Sequence, residues 1–273
     1  MNAGHYRYHV NRFRGLAYGV FRRATHGRCK GYSIIDPFFA GKRGLEIGGP
    51  SRIFGEGRAL PVYDRCQRID NCNFSGQTIW TDNPTAEKFG FGPRVGKEYL
   101  AEAGDLSSIG DETYDFVLAC HVLEHVANPL RAVQEWKRVL VPGGGLLVMV
   151  PDRRRSFDHK RPVTSFEHID ADFQANTTED DLTHLDEILA LHDFNLDRGA
   201  GSPQEFRERC LQNSHFRAMH HHVFDPELLR LVFVRLGMRA LVTCFEGPCH
   251  VVGFAEKAKQ GGKSLPSQIS SPS

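Results

Sequence analysis

Residues 114–152 read YDFVLACHVLEHVANPLRAVQEWKRVLVPGGGLLVMVPD, and this stretch decides the fold. Phe116 to Cys120 is a short unbroken apolar run, the pattern of a strand buried on both faces. Asn128 supplies a helix N-cap, and Pro129 takes the first helical position, where its missing N–H costs nothing. Leu130, Val133, Trp136 and Leu140 recur at helical spacing and give one face to bury. Pro142-Gly143-Gly144-Gly145 is expected to stop the helix, and Leu146 to Val150 reads as a second buried strand. Together they form a βαβ unit of a parallel sheet. His121, Glu124 and His125 fall in the loop at the carboxyl end of its first strand. In open α/β sheets that edge binds ligands.

Upstream, Gly44-Leu45-Glu46-Ile47-Gly48-Gly49-Pro50-Ser51 reads as a strand entering a tight glycine turn. Two candidates follow for a second strand, Leu60 to Asp64 and Cys66 to Asp70, each ending in an acid. Residues 73–97 read as a long polar loop with one helical turn at most, and Tyr99 to Gly104 as a third strand closed by Asp105. Downstream, residues 153–222 form a polar insertion that holds eight of the 14 histidines. Within it Thr177 or Thr178 is expected to cap a helix with Glu179-Asp180-Asp181 in its first turn and Leu182, Leu185 and Leu189 buried; Asp181 and His184 would share one face. Glu205 to Leu211 is a candidate second helix. Asp225, Pro226 and Gly237 then cap, start and end a helix, and Arg239 to Phe245 and Cys249 to Ala255 form two strands around a Glu246-Gly247-Pro248 turn. The expected class is α/β: a doubly wound, mostly parallel seven-stranded sheet with a reversed last strand and a helical insertion after the fifth strand.

Length and composition bound the function. At 273 residues with 25% charged residues and a net charge of +1, the chain is an ordinary globular protein with ample core. Residues 1–43 are basic, nine Lys/Arg against the single acid Asp36, and carry Val10, Phe13, Leu16, Val20 and Phe21 at helical spacing. Such a segment suits a solvated helix face, or attracts an anionic partner. The seven scattered cysteines include no C-x-x-C pair, which argues against a disulfide framework and a thiolate zinc site and sets a cytoplasmic expectation. No membrane span and no signal-peptide core is visible. The chain divides into a basic helical segment (1–43), a main domain (44–255, with 153–222 as a lid) and a tail (256–273) expected to be disordered.

Acids at successive strand ends, Asp70 (or Asp64) for ribose hydroxyls and Asp105 for an adenine amino group, favour an adenosine ligand beside the glycine turn. LEIGGPS, the strand-end Asp, GDLSSI, YDFVLACHVLEHVANP and RVLVPGGGLLVMVPD together resemble the class I S-adenosylmethionine-dependent methyltransferases, over residues 44–152 and, by architecture, 223–255. The resemblance implies S-adenosylmethionine as cofactor. It places Gly48 and Gly49 at the methionine moiety, Asp70 at the ribose, Asp105 and Leu106 at the adenine, and His121 beside the sulfonium, with Glu46 also among the cofactor-binding residues. Relatives with such an insertion look like methyltransferases of bacterial surface-glycan pathways.

A sulfonium methyl is already activated, so the protein need only align a nucleophile and, for a hydroxyl, supply a base. Histidine suits that role, and His121, His125 and the run His220-His221-His222, with His222 foremost, are the candidates, with Glu124 beside them. His121, Glu124 and His125 also form an N/O/N set able to hold a divalent metal, as in some O-methyltransferases that resemble this chain; the competing reading is a loop held by side-chain hydrogen bonds. The expected reaction is O-methylation of a sugar or another polar small molecule. An RNA methyltransferase or RNA-binding domain is the alternative, disfavoured by the lack of a basic patch with interleaved aromatics. A non-catalytic scaffold is a third reading, kept open by a glycine turn that departs from E-x-G-x-G-x-G.

Overall fold

A computed structural model describes residues 27–76, 88–91, 94–197 and 199–259. The expected helical face at Val10–Phe21 and most of the tail lie outside these residues. One sheet of eight strands runs in the order β3-β4-β2-β1-β5-β6-β8-β7. Its strands are β1 (Arg43–Ile47), β2 (Arg68–Asn73), β3 (Lys88–Phe91), β4 (Arg94–Leu100), β5 (Tyr114–Cys120), β6 (Leu140–Pro151), β7 (Met238–Glu246) and β8 (His250–Lys257). The pairs β1–β2, β1–β5, β2–β4 and β5–β6 are parallel, whereas β8 runs antiparallel to both β6 and β7. This is the doubly wound sheet with a reversed end that the sequence pattern predicts, with β3 added at one edge.

Apolar runs fix the centre of the sheet. Phe116, Val117, Leu118 and Ala119 in β5, and Leu146 to Val150 in β6, are fully buried. On one face the helix Pro129–Val139 packs Leu130, Val133 and Trp136 against them, joined by Leu229, Val232 and Phe233 of the helix Pro226–Arg235. The other face is covered by short helical turns and loops, with Ile35, Phe39, Phe54 and Leu60 against Phe116, Leu118 and Leu147. Both helices start where expected: the Asn128 side chain accepts from the Arg131 N–H, and that of Asp225 from the Leu228 N–H. Replacing Asp225 with Ala should cost about 1 kcal/mol, read as a shift in the urea midpoint, because one buried helix loses its cap.

Several expectations are corrected. The second strand is the later candidate and runs on to Asn73, because parallel pairing with β1 continues through Ile47–Cys72. The third strand ends at Leu100, so residues 101–105 are loop. The supposed long loop contains the β3–β4 hairpin. The helix from Pro129 ends at Val139, and Pro142 to Gly145 lie inside β6 rather than before it.

The insertion contains the helices Phe166–Ala175, Leu185–Leu191, Pro203–Cys210 and Asn213–Phe216. The first carried no expectation. The third matches the candidate at 205–211 and opens with a capping box between Ser202 and Glu205. No helix starts at Thr177 or Thr178: the Glu179 carboxylate instead accepts from Ala127 N and pairs with Arg217, so residues 177–184 stay as turns and Leu182 is left exposed. His184 is the N-cap residue of Leu185–Leu191, off any face shared with Asp181.

Candidate functional site

The strand ends Gly48, Asn73, Ala101–Ala103 and His121–Val126 converge on a cleft that the insertion closes from above. Arg217 does the closing. Its guanidinium pairs with Glu102 at 2.6 Å and Glu179 at 2.7 Å and stacks 4.8 Å from the Phe74 ring centre. Phe74, Ala101, Ala103, Val122 and Val126 make the walls largely apolar, a shape and polarity suited to a small ligand.

The glycine turn is built for close packing. Gly48 has φ +73, and a Cβ there would come within 2.6 Å of the Val122 side chain on the cleft wall. Gly49 faces inward: its N–H donates to Asn71 Oδ1, and a Cβ would lie 2.4 Å from the Glu46 carboxyl carbon. Glu46 does not line the cleft. Its buried carboxylate accepts from Ser51 N and Tyr63 Oη, and burial lifts its pKa to about 7. It holds the turn that presents Gly48.

Besides Glu46, three expected cofactor contacts lie elsewhere. Asp70 sits inside β2 opposite Leu45, with one carboxylate oxygen taken by Arg68 Nε and Lys97 N and the other by Tyr114 Oη. The strand end belongs to Asn73, and Asp64 lies in a turn before the strand. Asp105 is exposed and accepts from Ser107 N; hydrogen bonding from the Ser107 side chain, then from its backbone, lowers the Asp105 pKa, and Leu106 is buried in the core. The carboxylates that do line the cleft are Glu102 and Glu179, neither of which carries a strand-end signal.

The loop after β5 brings its residues together as expected. His121 adopts φ +56, a region side chains seldom occupy, while its N–H still pairs with Met149 O. Its Nε2 lies 2.9 Å from His250 Nδ1 and its Nδ1 3.9 Å from Glu124; burial and the adjacent His250 hold its pKa below the ordinary histidine range. His125 Nδ1 lies 3.0 Å from Met219 O. A carbonyl can only accept, so Nδ1 carries the proton and Nε2 the lone pair. Burial, then neighbouring His220, keep this ring neutral to well below the usual range.

His220, from the candidate run His220-His221-His222, joins this group. Its ring packs 4.5 Å from that of His125, and its Nδ1 is bonded to the buried Asp158, whose charge raises the His220 pKa against the opposing effect of burial. Donor atoms of Glu124, His125 and His220 lie within 4.8 Å of one another, so these three can share a proton or hold a cation. His121 is not of that set. His222, the expected catalytic member of the run, turns to Asp172 in the insertion at 2.9 Å.

Glu124 is 2% exposed, neither carboxylate oxygen has a hydrogen-bond partner among the described residues, and burial raises its pKa to about 7. A carboxyl raised in the folded state binds a proton that the unfolded chain has released. Its contribution is therefore fully present below the unfolded pKa of about 4.5 and lost as pH rises through about 7. Between about pH 5 and pH 8 the wild-type unfolding free energy should fall more than that of Glu124→Gln, by up to about 3 kcal/mol. Equal falls in the two proteins would place the titration elsewhere.

Residues 54–148 match the family described as a methyltransferase domain. Curated relatives include phosphatidylethanolamine N-methyltransferase of Cereibacter sphaeroides, 30% identical over 109 residues, or 40% of this chain and 50% of that protein. Another is tRNA 5-carboxymethoxyuridine methyltransferase of Escherichia coli K12, 30% identical over 130 residues, or 47% and 48% of the two chains. The chain thus spans about half the length of these relatives. An S-adenosylmethionine-dependent methyltransferase structure from Mesorhizobium loti aligns with a TM-score of 0.47 and 12% identity over 83% of this chain and 96% of that one. One relative is named for a tRNA and the other for a phospholipid, so the expectation against nucleic acid gains no support. No helix among the described residues is long and apolar enough to cross a membrane. Residues 54–148 thus match a methyltransferase domain, and they lie on the mostly parallel sheet with its reversed end described above.

Proposed function

We propose that the chain transfers the methyl group of S-adenosylmethionine to a hydroxyl oxygen of a sugar or another polar small molecule. The observation that carries this reading is His125, whose Nε2 lone pair belongs to a cleft-lining ring backed by Glu124 and the Asp158–His220 pair. The cleft fits the cofactor. Gly48 leaves its backbone bare at the wall, Phe74, Ala101 and Ala103 suit a purine, and Glu102 with Asn73 can receive ribose hydroxyls.

Bound there, the cofactor supplies a methyl already activated by its sulfonium. The protein's part is alignment and proton removal. Met219 O fixes the His125 tautomer, His125 Nε2 takes the acceptor's proton, and Glu124 and His220 spread the charge that results. The polar insertion, closed by Arg217, keeps bulk water out and presents hydrogen-bonding groups to a hydroxyl-rich acceptor.

Calorimetric titration with S-adenosylhomocysteine tests the cofactor; no binding at high micromolar ligand would overturn it. Labelled-methyl transfer over fractionated cell extract tests the acceptor. Label in sugar or small polar fractions is expected, and label confined to RNA or phospholipid would overturn the acceptor class alone.

A further inference from the structure

We propose that His168, Asp172, His184 and His222 form a four-coordinate divalent-metal site, of zinc type, that staples the insertion together. One donor atom from each lies within 4.8 Å of the others. His168 Nε2 is 3.0 Å from His184 Nε2 and 3.3 Å from Asp172 Oδ2, and His222 Nε2 is 2.9 Å from Asp172 Oδ2. Tetrahedral zinc with bonds of about 2.0–2.1 Å places its ligand atoms roughly 3.3 Å apart, so only small side-chain shifts separate this arrangement from a coordination shell.

Hydrogen bonding alone accounts poorly for the group. Three imidazoles offer their Nε2 atoms to one point, and a single carboxylate oxygen already faces two of them. A cation there would satisfy all four at once. The ligands also come from positions that no single element could supply. His168 and Asp172 are one turn apart on the helix Phe166–Ala175, His184 precedes Leu185–Leu191, and His222 leads into the helix Pro226–Arg235.

Three imidazoles, one carboxylate and no thiolate favour zinc among common divalent ions. With four protein ligands the shell is closed, the mark of a structural rather than a catalytic site. The site is separate from Glu124, His125 and His220: His220 is committed to Asp158 on the cleft side, and His222 to Asp172. Its consequence is mechanical. Two residues from His220, the ion would anchor the segment that carries the Asp158–His220 pair, and binding only the folded chain would raise stability.

The test uses the full chain stripped of metal and titrated with Co²⁺. The expected result is uptake of about one equivalent with the intense visible bands of four-coordinate cobalt, reversed by Zn²⁺. Affinity should fall at least about 100-fold in His184→Gln and Asp172→Asn, and hold in His220→Gln. X-ray absorption of the zinc-loaded wild type, which needs no variant to fold, should show three imidazole ligands and one carboxylate oxygen. No uptake, a six-coordinate spectrum, or uptake that survives His184→Gln but is lost in His220→Gln would overturn the proposal.

Discussion

Replacing His125 with Gln should slow methyl transfer by roughly 100- to 10,000-fold, the range typical of a lost general base, while S-adenosylhomocysteine binds as to wild type. Glutamine keeps a donor for Met219 O but offers no basic nitrogen, so loss of proton removal is separated from loss of shape. The pH profile sharpens the test. His125 stays neutral well below the ordinary histidine range, so it does not set the acid limb of the reaction. That limb should belong to Glu124, whose pKa burial pushes up to about 7. In His125→Gln the limb should persist near the same pH with a lowered plateau, whereas Glu124→Gln should abolish it. A rate for His125→Gln within about tenfold of wild type would sink the assignment of the base.

The sheet was legible because its signals are local. Asn128-Pro129, the apolar runs of β5 and β6, and Asp225-Pro226 each announce an element within a few residues, and the structure keeps all of them. His121, Glu124 and His125 were found for the same reason: they sit on one short turn at a strand end. Asp70 was misplaced because strand length is set by pairing. Nothing near residue 70 reveals that β1 carries the ladder on to Cys72.

The unread part of the site is made of long-range contacts. Asp158 with His220, Glu179 with Arg217, and Met219 with His125 join segments distant in sequence. The density of histidines in the insertion was a visible signal, but which histidine faces which acid depends on how four helices fold over the cleft. His222, read as catalytic, belongs to the insertion's own polar cluster. The same contacts overrode local propensity, since Glu179 holds Ala127 N and Arg217 where helix preference would have made it a first-turn residue.

Arg161 ties these distant pieces together, and Arg161→Met should destabilise the protein by about 3–5 kcal/mol, the cost of breaking a buried ion pair from one side. The side chain is 2% exposed. Its Nε donates to Glu187 at 2.9 Å, Nη1 to His220 O at 2.7 Å and Nη2 to His221 O at 3.2 Å, and the guanidinium lies 3.4 Å from the Asp158 carboxylate. Methionine fills similar volume but strands two carbonyls and leaves Asp158 to His220 alone. Lysine should not rescue, because one ammonium cannot span partners on three sides of a planar fork. Thermal unfolding should show a midpoint lower by about 10 °C, with hydrogen exchange rising first across residues 153–222 while the strands of the central sheet stay protected. A change below about 0.5 kcal/mol would show that the network contributes no more than a surface pair. Activity measured well below the variant's transition then separates scaffold from chemistry. Arg161 anchors the carbonyls of His220 and His221, so releasing it frees the wall behind His125 even in folded protein. Transfer should therefore drop where folding is intact; wild-type turnover in folded Arg161→Met would confine this residue to stability.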